Sequence, residues 1–205
     1  MVDADAILAR RLAEKLEAEA VLPAASLAAA LAWALAGLLA RAAPARGILL
    51  PLAQLGRLEG APLAGLIRLA GGRPRPVGTV ADCPEPAFAR ALEERPAAAL
   101  LVVDPALPEV LAPATFLFSC RRAAVPALIL DPASRRWAAW ADGGATLVVL
   151  DGAALTGVAC GILAGTGEAI AACRAAEAAA AAFRAPPVLR AALAAALAAG
   201  DERQG

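Results

Sequence analysis

The sequence contains no histidine and no tyrosine, and Lys15 is its only lysine. The missing histidine excludes histidine general bases, histidine-ligated metals and Ser-His-Asp triads. Lys15 is therefore the only side-chain amine that could form a Schiff base. Basic and acidic residues balance at 19 each, and no basic stripe stands out. Because nucleic-acid binding normally needs such a stripe, we do not expect a nucleic acid as a partner.

The four cysteines, Cys83, Cys120, Cys160 and Cys173, show no CxxC spacing. This pattern argues against a zinc or redox motif, so we expect no metal. Free cysteines are among the most frequently buried residues, and we expect four buried thiols in a reducing, cytoplasmic compartment.

Residues 20–40 carry no charge and are long enough to cross a bilayer as a helix. The stretch is mostly alanine, which inserts weakly, and Pro23 interrupts its start. The acidic-rich segment before it does not resemble a signal peptide. We expect a buried globular helix and no membrane partner, with a transmembrane helix as the lesser alternative.

Hydrophobic residues make up 60% of the chain, and their spacing predicts alternating helices and strands. Continuous apolar strands between helices indicate an α/β fold with three layers, a mostly parallel sheet covered by helices on both faces. Prolines should limit residues 73–80 to a sheet edge. The expected helices are 3–19, 26–41, 61–70, 84–95, 108–122, 133–141, 166–183 and 188–199, and the expected strands are 48–52, 98–103, 126–131, 145–150 and 160–164.

Asp104, Asp131 and Asp151 each follow or end a predicted strand. In parallel sheets, ligands bind beyond the carboxyl ends of the strands, so these aspartates are candidate site residues. Each one taken singly is more often a helix cap or turn residue.

The order of these segments resembles the large domain of bacterial selenocysteine synthase (L-seryl-tRNA(Sec) selenium transferase), a family of the fold-type I superfamily that uses pyridoxal phosphate. The resemblance covers about residues 24 to 199. It divides the chain into an N-terminal amphipathic helix (1–20), a large domain (21–185) and a C-terminal helix and tail (186–205). The matching stretches include "SLAAALAWALAGLLA", "GRPRPVGTV", "FARALEERPAAALLVVDP", "AVPALILDPAS" and "GGATLVVLDGAALTGVACGILAG".

The resemblance implies roles for five residues. Asp131 corresponds to the aspartate that pairs with the cofactor's pyridine nitrogen, which lets the ring act as an electron sink. Ser26, at the start of a helix, falls near the segment that holds the cofactor phosphate. Gly78 and Thr79 of "PVGTV" and Gly152 of the turn after 145–150 complete a vestigial cofactor site.

The chain also departs from the family at the positions that matter most for chemistry. The family turn reads roughly Ser-Gly-Asp-Lys, and its lysine holds the cofactor, whereas residues 151–154 read Asp-Gly-Ala-Ala and put Ala154 at the lysine position. Residues 51–53 and 106–107 replace two further polar motifs of the family. Lys15 lies in an acidic amphipathic helix and is a poor substitute. The family's tRNA-contacting part and its small domain have no counterpart in the sequence, so we do not expect tRNA as a partner.

The resemblance therefore favours a degenerate, non-catalytic relative that acts as a binding or partner subunit. We expect a homo-oligomer, or a hetero-oligomer with a full-length paralogue, with no bound cofactor. The alternative is a transferase or lyase of the same family that binds pyridoxal phosphate without a lysine of its own.

Overall fold

The computed structural model of the protein describes residues 4–42, 47–107, 109–133 and 137–201. The strands are β1 (Ala20–Ala24), β2 (Ile48–Pro51), β3 (Arg57–Leu58), β4 (Ala61–Pro62), β5 (Pro74–Val77), β6 (Ala98–Val102), β7 (Ala127–Asp131), β8 (Leu147–Asp151) and β9 (Gly161–Gly165). The helices are α1 (Ala4–Lys15), α2 (Leu27–Ala40), α3 (Leu63–Leu69), α4 (Glu85–Glu93), α5 (Pro113–Ala123), α6 (Trp137–Asp142), α7 (Gly152–Thr156), α8 (Gly167–Ala175), α9 (Glu177–Phe183) and α10 (Pro187–Asp201), with a 3-10 turn at Leu52–Gln54.

Seven strands form one sheet in the order β1-β9-β8-β7-β6-β2-β5, and β3 and β4 form a separate hairpin. Six strands run in the same direction, and β9 alone is antiparallel to both of its neighbours. A parallel return needs a crossover of a dozen or more residues. The segment 152–160 between β8 and β9 is too short for one, so β9 turns back along β8. The sheet is therefore mostly parallel, as the sequence predicts.

Helices cover both faces of the sheet, which confirms the three-layer α/β architecture. One buried cluster joins the sheet to α1, α4, α5, α6 and α10. The second joins the opposite face to α2, α3, α8 and α9. The strands contribute residues to both clusters, because successive side chains of a strand point to opposite faces.

Residues 20–40 form two elements rather than one helix. The first part is the edge strand β1, which the sequence reasoning missed, and the second is the buried helix α2. Pro23 lies within β1, where an edge position tolerates its missing N–H. Among the described residues, no helix is long and apolar enough to cross a bilayer.

Prolines also fix other boundaries. Pro74 and Pro76 lie in β5, which is the opposite edge strand, as predicted. Helix α5 begins at Pro113, several residues later than predicted, because proline is favoured in the first helical turn. The predicted helix 166–183 is divided at Ala176 into α8 and α9.

Candidate functional site

The strand order reverses between β2 and β6, because β5 lies on one side of β2 and β6 on the other. In open α/β sheets, ligands bind beyond the carboxyl ends of strands at such a switch point. A cavity of about 380 Å³ lies there, within the range of small-ligand sites. Its polar lining comes from Gln54, Asp104, Glu109 and Asp131, and none of the described residues that line it is basic.

Gln54 closes the gap between β2 and β6. Its side chain is buried, its Nε2 donates to the Val102 carbonyl oxygen at 2.7 Å, and its Oε1 accepts from the Val102 N–H at 2.9 Å. The Gln54 side-chain amide therefore pairs with Val102 at the end of β6 as the backbone of a neighbouring strand would. Sequence reasoning missed this residue. The feature that could have identified it is a glutamine in the turn that follows a buried apolar strand.

The three candidate aspartates lie at the ends of the adjacent strands β6, β7 and β8, as predicted. Each accepts a hydrogen bond from the backbone N–H two residues further on: Asp104 from Ala106 at 2.9 Å, Asp131 from Ala133 at 3.1 Å and Asp151 from Ala153 at 2.9 Å. Aspartate side chains commonly form such turns with their own backbone, so these three contacts have a local structural role. Only Asp104 and Asp131 line the cavity.

Asp131 has a second partner at its other oxygen. The Trp140 indole Nε1 donates to Oδ2 at 2.8 Å, and both side chains are buried. Trp140 lies in α6, the crossover helix that follows β7, so the contact ties a helix to the strand end. Sequence reasoning did not identify Trp140. Hydrogen bonds to both carboxylate oxygens offset part of the cost of burying this charge.

Ser26 caps α2, as predicted, and its side chain accepts from the Ala29 N–H at 3.2 Å. A second donor of the same turn is also used within the chain, because the Glu59 carboxylate accepts from the Ala28 N–H at 2.8 Å. Glu59 and Gly60 form the β3–β4 turn, both with positive φ. The hairpin thus holds an anion at the positive end of the α2 dipole, where such a charge is favourable.

Gly78 and Thr79 form a tight turn after β5 rather than lining the cavity. Gly78 has φ of +84°, and an added Cβ would lie 2.4 Å from the Asp82 carbonyl oxygen. The Thr79 hydroxyl accepts from the backbone N–H of Asp82 at 3.1 Å, and the Thr79 N–H donates to the Asp82 carbonyl at 2.7 Å. The turn itself therefore accounts for both residues.

Gly152 opens α7 and packs against Cys160. An added Cβ would lie only 2.1 Å from the Cys160 Sγ, so close approach of the two segments requires glycine here. Ala154 is exposed in the same short helix, at the carboxyl edge of the sheet. Lys15 is the last residue of α1 and lies near Gly200, shortly before β1 begins. Because β1 runs in the same direction as β8, Lys15 lies at the amino-terminal edge of the sheet, opposite to Ala154.

All four cysteines are free and buried, as predicted. Burial raises the pKa of Cys120 and of Cys173 to about 12 and, with a smaller contribution from the Asp151 charge, that of Cys160 to about 11. Burial and the Asp82 charge also raise the pKa of Cys83. These thiols are therefore poor nucleophiles at neutral pH. The described residues contain no group of three or more potential ligands that could hold a metal ion.

No model of a known protein family matches the sequence. No curated protein matches it either. Solved structures do match the fold. D-Glucosaminate-6-phosphate ammonia-lyase superposes with a TM-score of 0.85 at 24% identity, covering 100% of this chain and 60% of its own. Cystathionine γ-lyase from Micromonospora echinospora gives 0.70 at 19% identity, covering 95% and 51%. Aspartate aminotransferase from Thermus thermophilus gives 0.69 at 17% identity, covering 96% and 55%.

The fold is therefore shared with these fold-type I enzymes, as the sequence resemblance predicts. The matched structures are a lyase acting on an amino-sugar phosphate, a cystathionine lyase and an aminotransferase. At these identities the likeness defines architecture only. The chain spans between 51% and 60% of the length of these structures.

The described residues at the carboxyl edge do not fit pyridoxal phosphate. Ala154, which the sequence resemblance aligns with the cofactor lysine of the family, has no amine to bind the aldehyde. Two donors at the start of α2, the N–H groups of Ala28 and Ala29, already bind Glu59 and Ser26, and the Glu59 charge opposes a phosphate there. The Asp131 oxygens already bind Trp140 and Ala133.

Proposed function

We propose that this chain is a non-catalytic relative of the fold-type I enzymes, related to selenocysteine synthase, and that it acts as a binding or partner subunit. The observation that carries the proposal is the separation of Ala154 from Lys15. Ala154 follows β8 at the carboxyl edge, and the only lysine lies at the opposite edge. A Schiff base at this edge would need an amine that the chain does not supply.

Two internal contacts support the loss of cofactor binding. Glu59 places a carboxylate at the α2 N-terminus, the end of a helix that favours phosphate. Trp140 donates to a carboxylate oxygen of Asp131, the residue that the sequence resemblance pairs with the ring nitrogen. At both positions, a group of the chain already makes the hydrogen bond that a cofactor group would otherwise make.

The partner role is supported by composition and by exposed apolar residues. Only 19% of the residues are charged. Val80, Phe118 and Val188 are large apolar residues with 78%, 52% and 77% of their surface exposed. Exposed apolar side chains favour assembly where they form a contiguous patch. The partner would be a second copy of this chain or a full-length paralogue.

The alternative function is a transferase or lyase that binds pyridoxal phosphate without its own lysine. It is favoured by one observation, the placement of Asp131 at the end of β7 in the wall of the cavity. Under this alternative, the cofactor would bind non-covalently or through an amine of the partner.

Native mass spectrometry of the protein isolated from its source tests the partner role. We expect a defined oligomer of this chain, or a stoichiometric complex with a larger fold-type I paralogue, with no cofactor mass on this chain. A monomer with no partner, isolated across a range of protein concentrations, would contradict the partner role. A stoichiometric pyridoxal phosphate mass on this chain would favour the alternative.

A further inference from the structure

A second cavity lies on the β1 edge of the sheet, at the far end of the strand order from the switch point. It has a volume of about 340 Å³, within the range of small-ligand sites. Its apolar wall comes from Leu8 of α1, Leu22 of β1 and the buried indole of Trp33 in α2. It shares no lining residue with the cavity at the carboxyl edge.

Three arginines from three different elements meet at this cavity. Arg174 ends α8, Arg184 follows α9, and Arg190 lies in the first turn of α10. Arg184 is held in place by its backbone, because Ala24 of β1 forms a β-bridge with it. The Ala185 N–H donates to the Pro23 carbonyl and fixes the same segment on the strand edge.

The positive charge of this cavity is only partly compensated. Asp5, which also lines it, forms an ion pair with Arg190. Across the part of the chain that the structure describes, neither Arg174 nor Arg184 lies within ion-pair distance of a carboxylate. The buried Arg190 Nε has no hydrogen-bond partner among the described residues. The described lining residues include three guanidinium groups and one carboxylate, which give a formal charge of +2.

We propose that this cavity binds a small organic phosphate monoester. The phosphate group of such a ligand carries about −1.5 to −2 charges at neutral pH, which matches the lining. Guanidinium groups bind phosphate oxygens through paired N–H donors, and the Arg190 Nε supplies a donor that is already desolvated. The apolar wall of Leu8, Leu22 and Trp33 would contact the organic part.

Isothermal titration calorimetry with phenyl phosphate tests this proposal. The test variant is R174Q/R184Q, because both side chains are exposed and their loss leaves the core unchanged. The matched control is R122Q, which removes an exposed arginine from α5, remote from this cavity. Circular dichroism of each protein checks that it is folded, and the single variants replace the double variant if it is not.

We expect phenyl phosphate to bind the wild type and R122Q alike, and to bind R174Q/R184Q at least about tenfold more weakly, as the loss of charged hydrogen bonds predicts. Inorganic phosphate should bind more weakly than phenyl phosphate, because it leaves the apolar wall unused. Absence of binding to the wild type would overturn the proposal. So would equal weakening in R122Q, or inorganic phosphate that binds as tightly as phenyl phosphate.

Discussion

Trp140 and Asp131 are joined by a buried hydrogen bond in which the indole Nε1 donates to the carboxylate Oδ2 at 2.8 Å. The bond connects α6 to the end of β7, and it satisfies the aspartate at the position where the resemblance would put a cofactor contact. An acceptor that is used inside the protein stabilises the fold. It is less available to a ligand.

The substitution Trp140→Phe should lower the free energy of unfolding by about 1 to 3 kcal/mol, because it leaves a buried charged acceptor with one partner fewer. The matched control is Trp33→Phe, which removes a 2.7 Å indole bond to the neutral Cys173 carbonyl. Urea unfolding should show the smaller loss for Trp33→Phe. The reverse order would show that the carboxylate contact does not carry the stability assigned to it.

The substitution Glu59→Gln should lower the unfolding free energy by less than about 1 kcal/mol, since it removes an exposed charge from the α2 N-terminus. The effect should shrink in high salt, because an exposed charge is screened. Glu93→Gln, in the last turn of α4, is the control and should show no such salt-dependent loss. Equal behaviour of the two variants would contradict a helix-dipole contact for Glu59.

The substitution Gly152→Ala should destabilise the fold by about 1 to 3 kcal/mol, because its Cβ would overlap the Cys160 sulfur. Gly56→Ala is the control, since no atom lies within 4 Å of a Cβ added there. The double variant Gly152→Ala, Cys160→Ala should recover part of the loss in thermal unfolding. No recovery would place the strain elsewhere.

The free energy of unfolding should fall as pH rises from about 9 to 11. Burial raises the pKa of Cys120 and Cys173 to about 12, above the usual value near 9, so the folded state retains protons that the unfolded state releases. The chain lacks tyrosine and has one lysine, so few other groups titrate in this range. Urea unfolding of Cys120→Val should show a shallower decline, and an identical slope would contradict this origin.

The hydrophobic periodicity of the sequence was sufficient to predict a mostly parallel sheet with helices on both faces. Continuous apolar runs such as 127–131 have to be buried on both faces, and prolines at 74 and 76 mark an edge strand. The strand β1 was not predictable from local pattern, because only Ala25 and Ser26 separate Ala20–Ala24 from the apolar α2. Its strand character comes from pairing with β9, far away in the sequence.

The site was predictable only in part. The three aspartates were found because strand ends in a parallel sheet share an edge. Gln54, Glu59 and Trp140 were missed because their importance depends on partners at Val102, Ala28 and Asp131, which only the folded chain brings near. Gly78 and Gly152 have steric roles in the fold, and their proposed cofactor roles remain predictions from the sequence resemblance.

Incubation with pyridoxal phosphate, followed by borohydride reduction and peptide mass spectrometry, tests the central claim most directly. Because this cofactor is itself a phosphate monoester, the wild type is compared with R174Q/R184Q to separate binding at the β1-edge cavity. We predict no reduced adduct on Lys15 beyond that of the unfolded chain, and no new absorption band that survives in R174Q/R184Q. A stoichiometric adduct on the folded chain, or a band that R174Q/R184Q retains, would contradict the account.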